Sequence, residues 1–312
     1  MDLAAAVVGC GAIGSRFDTY SQSDDRILTH ANACRRHPDV SLVAGVDTDA
    51  ERREAFAEAW NRPAYSTLEA AAVDHDLDLV CVSTPPSSHE TVVNDALATG
   101  VRGLLCEKPL TPDEAAAERI VDRCEAADVP LAVNYIRRYA PGIRRLREAV
   151  REDEFDAIAT ATFTFTKGLD TNGTHMVDLG RWLFGAVRDI DRRDSGDSLD
   201  AILDHEEATC RLVGTGVTTY SQTRADIYGT AGAVQLVDNG NRVRYLTVTS
   251  DPVYPGFSRL TEQYRETTGI HRATYHALAD VVTGLRDGEP LTCPGREALE
   301  TLRVCERLTH SD

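Results

Sequence analysis

Gly9-Cys10-Gly11-Ala12-Ile13-Gly14 follows an apolar run over residues 3–9 and leads into a polar stretch. An apolar run that ends in glycines suits a strand buried on both faces of a parallel sheet. The three glycines meet three different demands. The first permits a tight turn, the second lets the backbone approach a pyrophosphate, and the third lets helix and strand pack closely. Alone the pattern is weak; between a strand and a helix near the start of a chain it is strong. The N-terminus of the helix it opens would then face the phosphates. Gly9, Gly11, Ala12, Ile13 and Gly14 are therefore candidate contacts to a dinucleotide, and the plainer alternative is a glycine-rich turn.

Outward from this stretch the chain alternates strand and helix. Apolar runs at residues 41–47, 77–84, 103–107 and 131–135 read as further buried strands. Between them, residues 49–60 and 86–99 read as helices, the second ending at Gly100. Thr111-Pro112-Asp113-Glu114 opens another, with an N-cap, a proline in the first turn and acids against the dipole. Repeated β-α with short links predicts a doubly wound parallel sheet.

Asp47 ends the second strand, where an acid would bind the adenosine ribose hydroxyls. Its distance from Gly14 exceeds the usual figure of about 20 residues, and a polar insertion at residues 18–26 accounts for the excess. Asp47 would repel a 2′-phosphate, which favours NAD over NADP, with Arg52 and Arg53 as an offsetting influence. The plainer reading of Asp47 is a helix N-cap acid. Ser83-Thr84-Pro85-Pro86-Ser87-Ser88-His89 closes the third long strand at the carboxyl edge of the sheet, so Thr84 and Pro85 are cofactor candidates. His89 either faces the cofactor or packs on its helix.

After about residue 150 the rhythm changes. Residues 157–166 alternate, with Thr at every second position from 160, as in a strand with one polar face. Residues 173–185 read as a helix, and 208–224 as a Thr-rich strand region turning near Gly214-Thr215-Gly216. Residues 233–237 and 242–249 flank Asp238-Asn239-Gly240, a hairpin signal. Helices follow near 271–287 and 296–309. Strands in a row with helices set apart predict an α+β domain on an open, mainly antiparallel sheet. The expected division is 1–130 and 131–312, with the C-terminal helix packing back on the first domain.

Composition narrows the function. The 312 residues suit two domains. A net charge of −17, dispersed along the chain, argues against nucleic acid and anionic membrane surfaces. No apolar run approaches the roughly 20 residues that span a bilayer. The start of the chain lacks a basic region, so a cytoplasmic protein is expected. The eight cysteines form no C-x-x-C pair; disulfides and metal sites are not expected. Only two of the 33 basic residues are lysine, Lys108 and Lys167. Dispersed acid with arginine in place of lysine resembles proteins of salt-loving archaea. It also draws attention to Cys106-Glu107-Lys108-Pro109, where a proton-exchanging ammonium has been kept that arginine cannot replace.

Several motifs occur in a telling order: the glycine turn at 9–14, Thr84-Pro85-Pro86 with His89, and Glu107-Lys108-Pro109. Gly173-Thr174-His175-Met176-Val177-Asp178 and Tyr228-Gly229-Thr230-Ala231-Gly232 follow. The set resembles the glucose–fructose oxidoreductase, inositol dehydrogenase and rhizopine-catabolism oxidoreductase (Gfo/Idh/MocA) family over essentially the whole chain. The resemblance implies an N-terminal Rossmann domain, a C-terminal α/β substrate and oligomerisation domain, and a homodimer or homotetramer. It implies hydride transfer between NAD (NADP as the alternative) and a hydroxyl or keto carbon of a carbohydrate-like substrate. Lys108 would hydrogen-bond the reacting oxygen, His175 would be the general acid/base, and Pro109 would fix the turn, often through a cis bond. Glu107 joins the cofactor set.

One departure stands out. The family commonly has Asp four residues before the histidine, and here that residue is Thr171. Either Asp170 reaches the site or this branch works without the carboxylate, which is the reading favoured. Lys167, Thr171 and Asn172 are then substrate candidates. Asp178 lies on the helical face of His175 and either orients it or contacts substrate; the plainer reading is a surface acid. Asn134, Tyr135 and Arg138 are substrate candidates, with an interdomain salt bridge as the alternative for the arginine. Trp182 and Phe184 read as core. The reading is thus an NAD(P)-dependent oxidoreductase of a sugar, sugar derivative or nucleotide sugar. The alternatives are a catalytically weakened dinucleotide-binding regulator, or an enzyme of a diol, cyclic imine or tetrapyrrole.

Overall fold

A computed structural model describes residues 2–19, 25–193 and 198–309. The chain divides into two compact units, Met1–Tyr139 with His271–Leu302, and Ala140–Ile270 with Arg303–Asp312. The first boundary thus falls at Tyr139 rather than 130, and residues 271–302 are grouped with the first unit. The extension is held by hydrogen bonds: Val133 N donates to Cys293 O at 2.9 Å, and Ala132 bridges Pro294.

The first unit is built on six parallel strands: β1 (Leu3–Val8), β2 (Val40–Val46), β3 (Ala64–Tyr65), β4 (Leu79–Val82), β5 (Gly103–Cys106) and β6 (Leu131–Val133). Their order is β3-β2-β1-β4-β5-β6, so the direction of winding reverses between β1 and β4. A crevice opens at such a switch point, outside the carboxyl ends of the strands. β4 and β5 are buried along their whole length, as their unbroken apolar sequences require.

The first helix departs from expectation. The glycine turn starts one helical turn, with Ser15 N on Gly11 O at 3.0 Å, and the chain then leaves it. It returns at the helix His30–Arg36, where His30 N donates to Ile13 O at 3.1 Å and Ala31 N to Gly14 O at 2.9 Å. In an unbroken helix Gly14 O would accept from residue 18. Residue 31 takes that place, so 13 residues are spliced into the helix. Gly14 and Asp47 are 33 positions apart, and removing the 13 leaves the usual spacing of about 20. The insertion expected at 18–26 therefore begins earlier and ends later; residues 20–24 of it lie outside the described residues. Asp18 ties its ends: Oδ2 accepts from Leu28 N, Thr29 N and Thr29 Oγ1, each at 2.8 Å.

Asp49 caps the helix Ala50–Trp60, accepting from Glu51 N and Arg52 N, so Asp47 is not needed as a cap. One cap differs from the sequence reading: Asp113, not Thr111, caps Glu114–Ala126 through Ala116 N at 2.9 Å.

The second unit is an eight-stranded sheet: β7 (Ile158–Phe165), β8 (Val187–Arg192), β9 (Leu199–His205), β10 (Thr209–Gly214), β11 (Thr223–Gly229), β12 (Gly232–Val237), β13 (Arg242–Ser250) and β14 (Ser258–Thr267). The order is β14-β13-β12-β11-β7-β10-β9-β8. All neighbours are antiparallel except β10 and β7. The region 208–224 therefore holds no hairpin: β10 and β11 lie on opposite sides of β7. The hairpin expected at 238–240 is present between β12 and β13.

Alternation decides the faces. Ala161, Phe163 and Phe165 of β7 are buried, while Thr160, Thr162 and Thr164 take the other side. The helix Thr174–Phe184 covers the buried face, with Phe184 stacked on Phe163 at 6.3 Å. The open face carries a polar network instead. Arg224 pairs with Asp226, and Gln235 links Asp226 to Arg244, which pairs with Glu262.

Candidate active site

The crevice of the first unit is a cleft of about 520 Å³. Gly9, Gly11, Asp47, Thr84 and Pro85 line it, with Arg52, Thr91 and Asp95. Gly9 has φ +97°, and a Cβ there would stand 2.7 Å from the Ser83 backbone. A Cβ on Gly14 would stand 1.8 Å from Gly9 O, so the turn closes on itself only with glycine. Around Gly11 a Cβ would meet nothing; there the backbone is open to a ligand. Ser83 Oγ fixes the turn to β4 by donating to Gly9 O at 2.8 Å.

Asp47 is set by the backbone around it. Oδ2 accepts from Cys10 N at 2.8 Å and Oδ1 from Asp49 N at 2.9 Å. The carboxylate thus joins the glycine turn to the end of β2. Arg52 stands 3.8 Å from it and borders the cleft. Arg53 is used otherwise, donating to the carbonyls of Asp47 and Thr48. Thr84 Oγ1 is buried with no hydrogen-bond partner among the described residues. An open backbone at Gly11, an acid after β2 and an unsatisfied hydroxyl after β4 fit an adenine dinucleotide.

The other expected cofactor residues are not in this lining. Ala12 and Ile13 are exposed beside it, and Gly14 is buried behind it. His89 does not face the cleft. It is fully buried, with its ring nitrogens 2.8 Å from Thr84 O and 3.0 Å from Leu110 O, so it ties the turn after β4 to the loop after β5.

Glu107 N continues the β4–β5 ladder by donating to Val82 O at 2.9 Å, and the Lys108–Pro109 bond is cis. The Glu107 carboxylate is turned inward. Its Oε1 accepts from His30 Nε2 at 2.9 Å and from Asn134 Nδ2 at 2.7 Å. Burial would raise this carboxyl, but the His30 and Asn134 hydrogen bonds and the Lys108 charge hold it below its ordinary value. Burial would lower His30, but the Cys81 thiol and Glu107 push it up to about 10. The sequence reading missed His30. Its one signal was Thr29, which caps the resumed helix through Asn32 N.

Asn134 is buried and committed through Nδ2, while its Oδ1 has no partner among the described residues. Tyr135 is also buried. Arg138 does not fit an anion-binding role. It is 1% exposed, and its guanidinium donates to Thr292 O and Glu297 Oε2 within the first unit. A guanidinium buried this deeply is held by its carbonyl and carboxylate partners.

In the second unit, Leu169–Gly173 forms a π-turn, with Gly173 N on Gly168 O at 3.1 Å and Thr174 N on Leu169 O. The helix Thr174–Phe184 continues from it and carries His175 and Asp178. His175 is 8% exposed, and Asp178 is fully buried, so it is not a surface acid. Cys305 lies close by: burial pushes its thiol up to about 12, helped by the Asp170 and Asp178 charges and opposed by a hydrogen bond with Thr174. Lys167 and Thr171 are exposed, and Asn172 donates to Ser221 Oγ at 3.0 Å. Trp182 and Phe184 are core residues.

A parallel sheet in 3-2-1-4-5-6 order, with a glycine turn and an acid at the end of the second strand beside its switch point, defines a dinucleotide-binding Rossmann domain. The sequence model of the family described as "Oxidoreductase family, NAD-binding Rossmann fold" matches residues 3–135. Residues 3–135 thus match the NAD-binding domain of the Gfo/Idh/MocA oxidoreductases. It is 25% identical to a D-apiose dehydrogenase of Paraburkholderia graminis, over 96% of the chain and 85% of the relative. It is 35% identical to an inositol 2-dehydrogenase of Leifsonia xyli, over 48% of the chain and 40% of the relative. In fold it resembles an Agrobacterium radiobacter oxidoreductase solved with NAD+, L-tartaric acid and magnesium. The TM-score is 0.78 at 20% identity, covering 98% of this chain and 95% of that one. Among the described residues no helix is long and apolar enough to cross a membrane.

Proposed function

We propose that this chain is an NAD-dependent dehydrogenase of a sugar or cyclic polyol, with Lys108 and His175 serving the reacting oxygen. One observation carries the reading. The only lysine of the first unit sits at the end of β5, on the carboxyl edge that also forms the dinucleotide cleft. The dehydrogenase names of the D-apiose and inositol relatives support a polyhydroxylated substrate.

The bound nicotinamide supplies the hydride acceptor or donor. The glycine turn holds the pyrophosphate on its open backbone at Gly11, and Asp47 accepts the ribose hydroxyls. The Lys108 ammonium hydrogen-bonds the reacting oxygen and favours its alkoxide form. His175 takes the hydroxyl proton during oxidation and returns it during reduction. Asp178, Lys167, Thr171 and Asn172 bind or orient substrate, and the enzyme works as a cytoplasmic homo-oligomer.

The test is a screen of the purified protein with NAD and NADP, at low and at molar KCl. It follows formation of reduced nicotinamide with D-apiose, myo-inositol, other sugars and nucleotide sugars. Turnover with one class is expected, and Lys108→Ala and His175→Ala should each lower it by about 10²-fold or more. Full turnover in both variants would overturn the mechanism. NAD binding by calorimetry with no turnover across the panel would leave the regulator reading in its place.

A further inference from the structure

The pair His30–Glu107, the histidine fully buried and the carboxylate 16% exposed, stands directly beside Lys108, and the proposed chemistry above does not use it. Glu107 is adjacent to Lys108 in the chain, and its carboxylate faces away from solvent toward His30 and Asn134. The His30 side chain is completely buried. Its backbone is fixed from two directions. The amide is bonded to Ile13 O of the glycine turn, and the preceding residue, Thr29, is clamped by Asp18. His30 therefore has one position, set by the same turn that would hold the pyrophosphate.

We propose that His30 is a positioning residue for the reaction: as an imidazolium it holds the Glu107 carboxylate inward, and so sets the charge and aim of the Lys108 ammonium. The inference rests on the reading that Lys108 serves the reacting oxygen. The physical reason is electrostatic. Glu107 next to Lys108 stabilises the ammonium, whereas a cation on the far side of Glu107 draws that carboxylate away and lowers the negative potential at Lys108. The pair thereby brings the lysine closer to the range in which it can exchange a proton. His30 faces Glu107 and the Cys81 thiol. Glu107 faces His30, Asn134 and Lys108, with the Cys106 thiol adjoining.

The chain has only two lysines, which makes a direct test available. Protein labelled with carbon-13 at the lysine ε-carbon gives two signals, and Lys167→Arg assigns them. The full-length protein is titrated with and without NAD. His30→Gln keeps a hydrogen-bond donor to Glu107 but removes the charge, so the Lys108 signal should titrate at higher pH than in the parent. Glu107→Gln removes the anion, so the same signal should titrate at lower pH, while Lys167 stays unmoved in both. Opposite shifts are not expected from general loosening of the fold. A Lys108 titration unchanged in His30→Gln, or displaced in the same direction by both variants, would overturn the inference and leave the dehydrogenase reading standing. Lys108→Ala with full turnover would remove both.

Discussion

The carbonyl of Gly14 accepts the amide of Ala31 at 2.9 Å, so two residues 17 positions apart stand one turn apart in a single helix. The glycine turn and the helix that completes it are separated in sequence by an insertion but joined in space. Asp18 makes the join. Its Oδ2 collects three hydrogen bonds from Leu28 and Thr29, at the point where the chain re-enters the helix.

Asp18→Ala should therefore cost more than a surface substitution. Hydrogen bonds to charged groups contribute about 1.5–3 kcal/mol, and the Leu28 and Thr29 donors would lose their acceptor. A loss of about 2 kcal/mol in denaturant unfolding is expected, together with weaker NAD binding. A midpoint unchanged from the parent would show that the insertion does not hold the helix.

How much of this was legible in the sequence follows from the range of each signal. The glycine turn, Asp47 and Glu107-Lys108-Pro109 are local signals: each is a short run at the end of one strand or in the turn after it. His30 was invisible because its partner lies 77 positions away and because the insertion hides the helix that carries it. Arg138 was left open between a substrate contact and a salt bridge, because only the folded chain brings Thr292 and Glu297 to it. Strands β8 and β14 went unread for another reason. Their sequences, VRDIDR and SRLTEQYRET, put no residue in the buried class. An edge strand with charge on both sides has no apolar alternation to detect. Five strands of the first unit, in contrast, are apolar runs that each read as a buried strand, while β3, two half-buried residues, offered no such run.

Asp47→Ala should weaken NAD and narrow its advantage over NADP. The carboxylate holds Cys10 N of the glycine turn and is the acid at the ribose position, so its loss acts on both. A rise in the NAD dissociation constant of about tenfold, equivalent to about 1.4 kcal/mol, is expected by calorimetry. NADP should bind better than to the parent, because Arg52 would lose its 3.8 Å neighbour and be left facing the cleft. If both cofactors weaken equally, Asp47 only braces the turn.

The His30–Glu107 pair also predicts how stability follows pH. His30 is raised to about 10 from 6.5, so what it contributes is fully present below 6.5 and is lost as pH rises through about 10. Glu107 is lowered from 4.5, so what it contributes is present above 4.5 and is lost as pH falls through the depressed value. Both shifts describe one interaction, and it is complete between 4.5 and 6.5. The difference in melting temperature between the parent and His30→Gln should be largest in that window and shrink toward pH 10. A difference that stays constant across the range would mean that the pair is not charged in the folded protein.

The π-turn before His175 bears on the missing family carboxylate. In an α-helix the residue one turn before His175 is Thr171, which has no charge to offer. Across Leu169–Gly173 the bonds run to the fifth residue, so this turn takes up one residue more than an α-turn. Asp170, five residues before His175, is thereby carried toward the place that the fourth residue holds in an ordinary helix. If Asp170 orients His175, Asp170→Asn should lower kcat by about tenfold or more with little change in KM, as expected for a group that supports a general base. The limb of the pH–rate profile that reports the histidine should move to lower pH, since an imidazolium loses its partner. Thr171→Asp should not restore the rate in that background, because the π-turn does not give residue 171 the α-helical relation to the histidine. Should Asp170→Asn leave both kcat and the pH profile unchanged, this branch of the family works without the carboxylate, and His175 is oriented by the buried Asp178 instead. Asp178→Asn would then show the shift that Asp170→Asn did not.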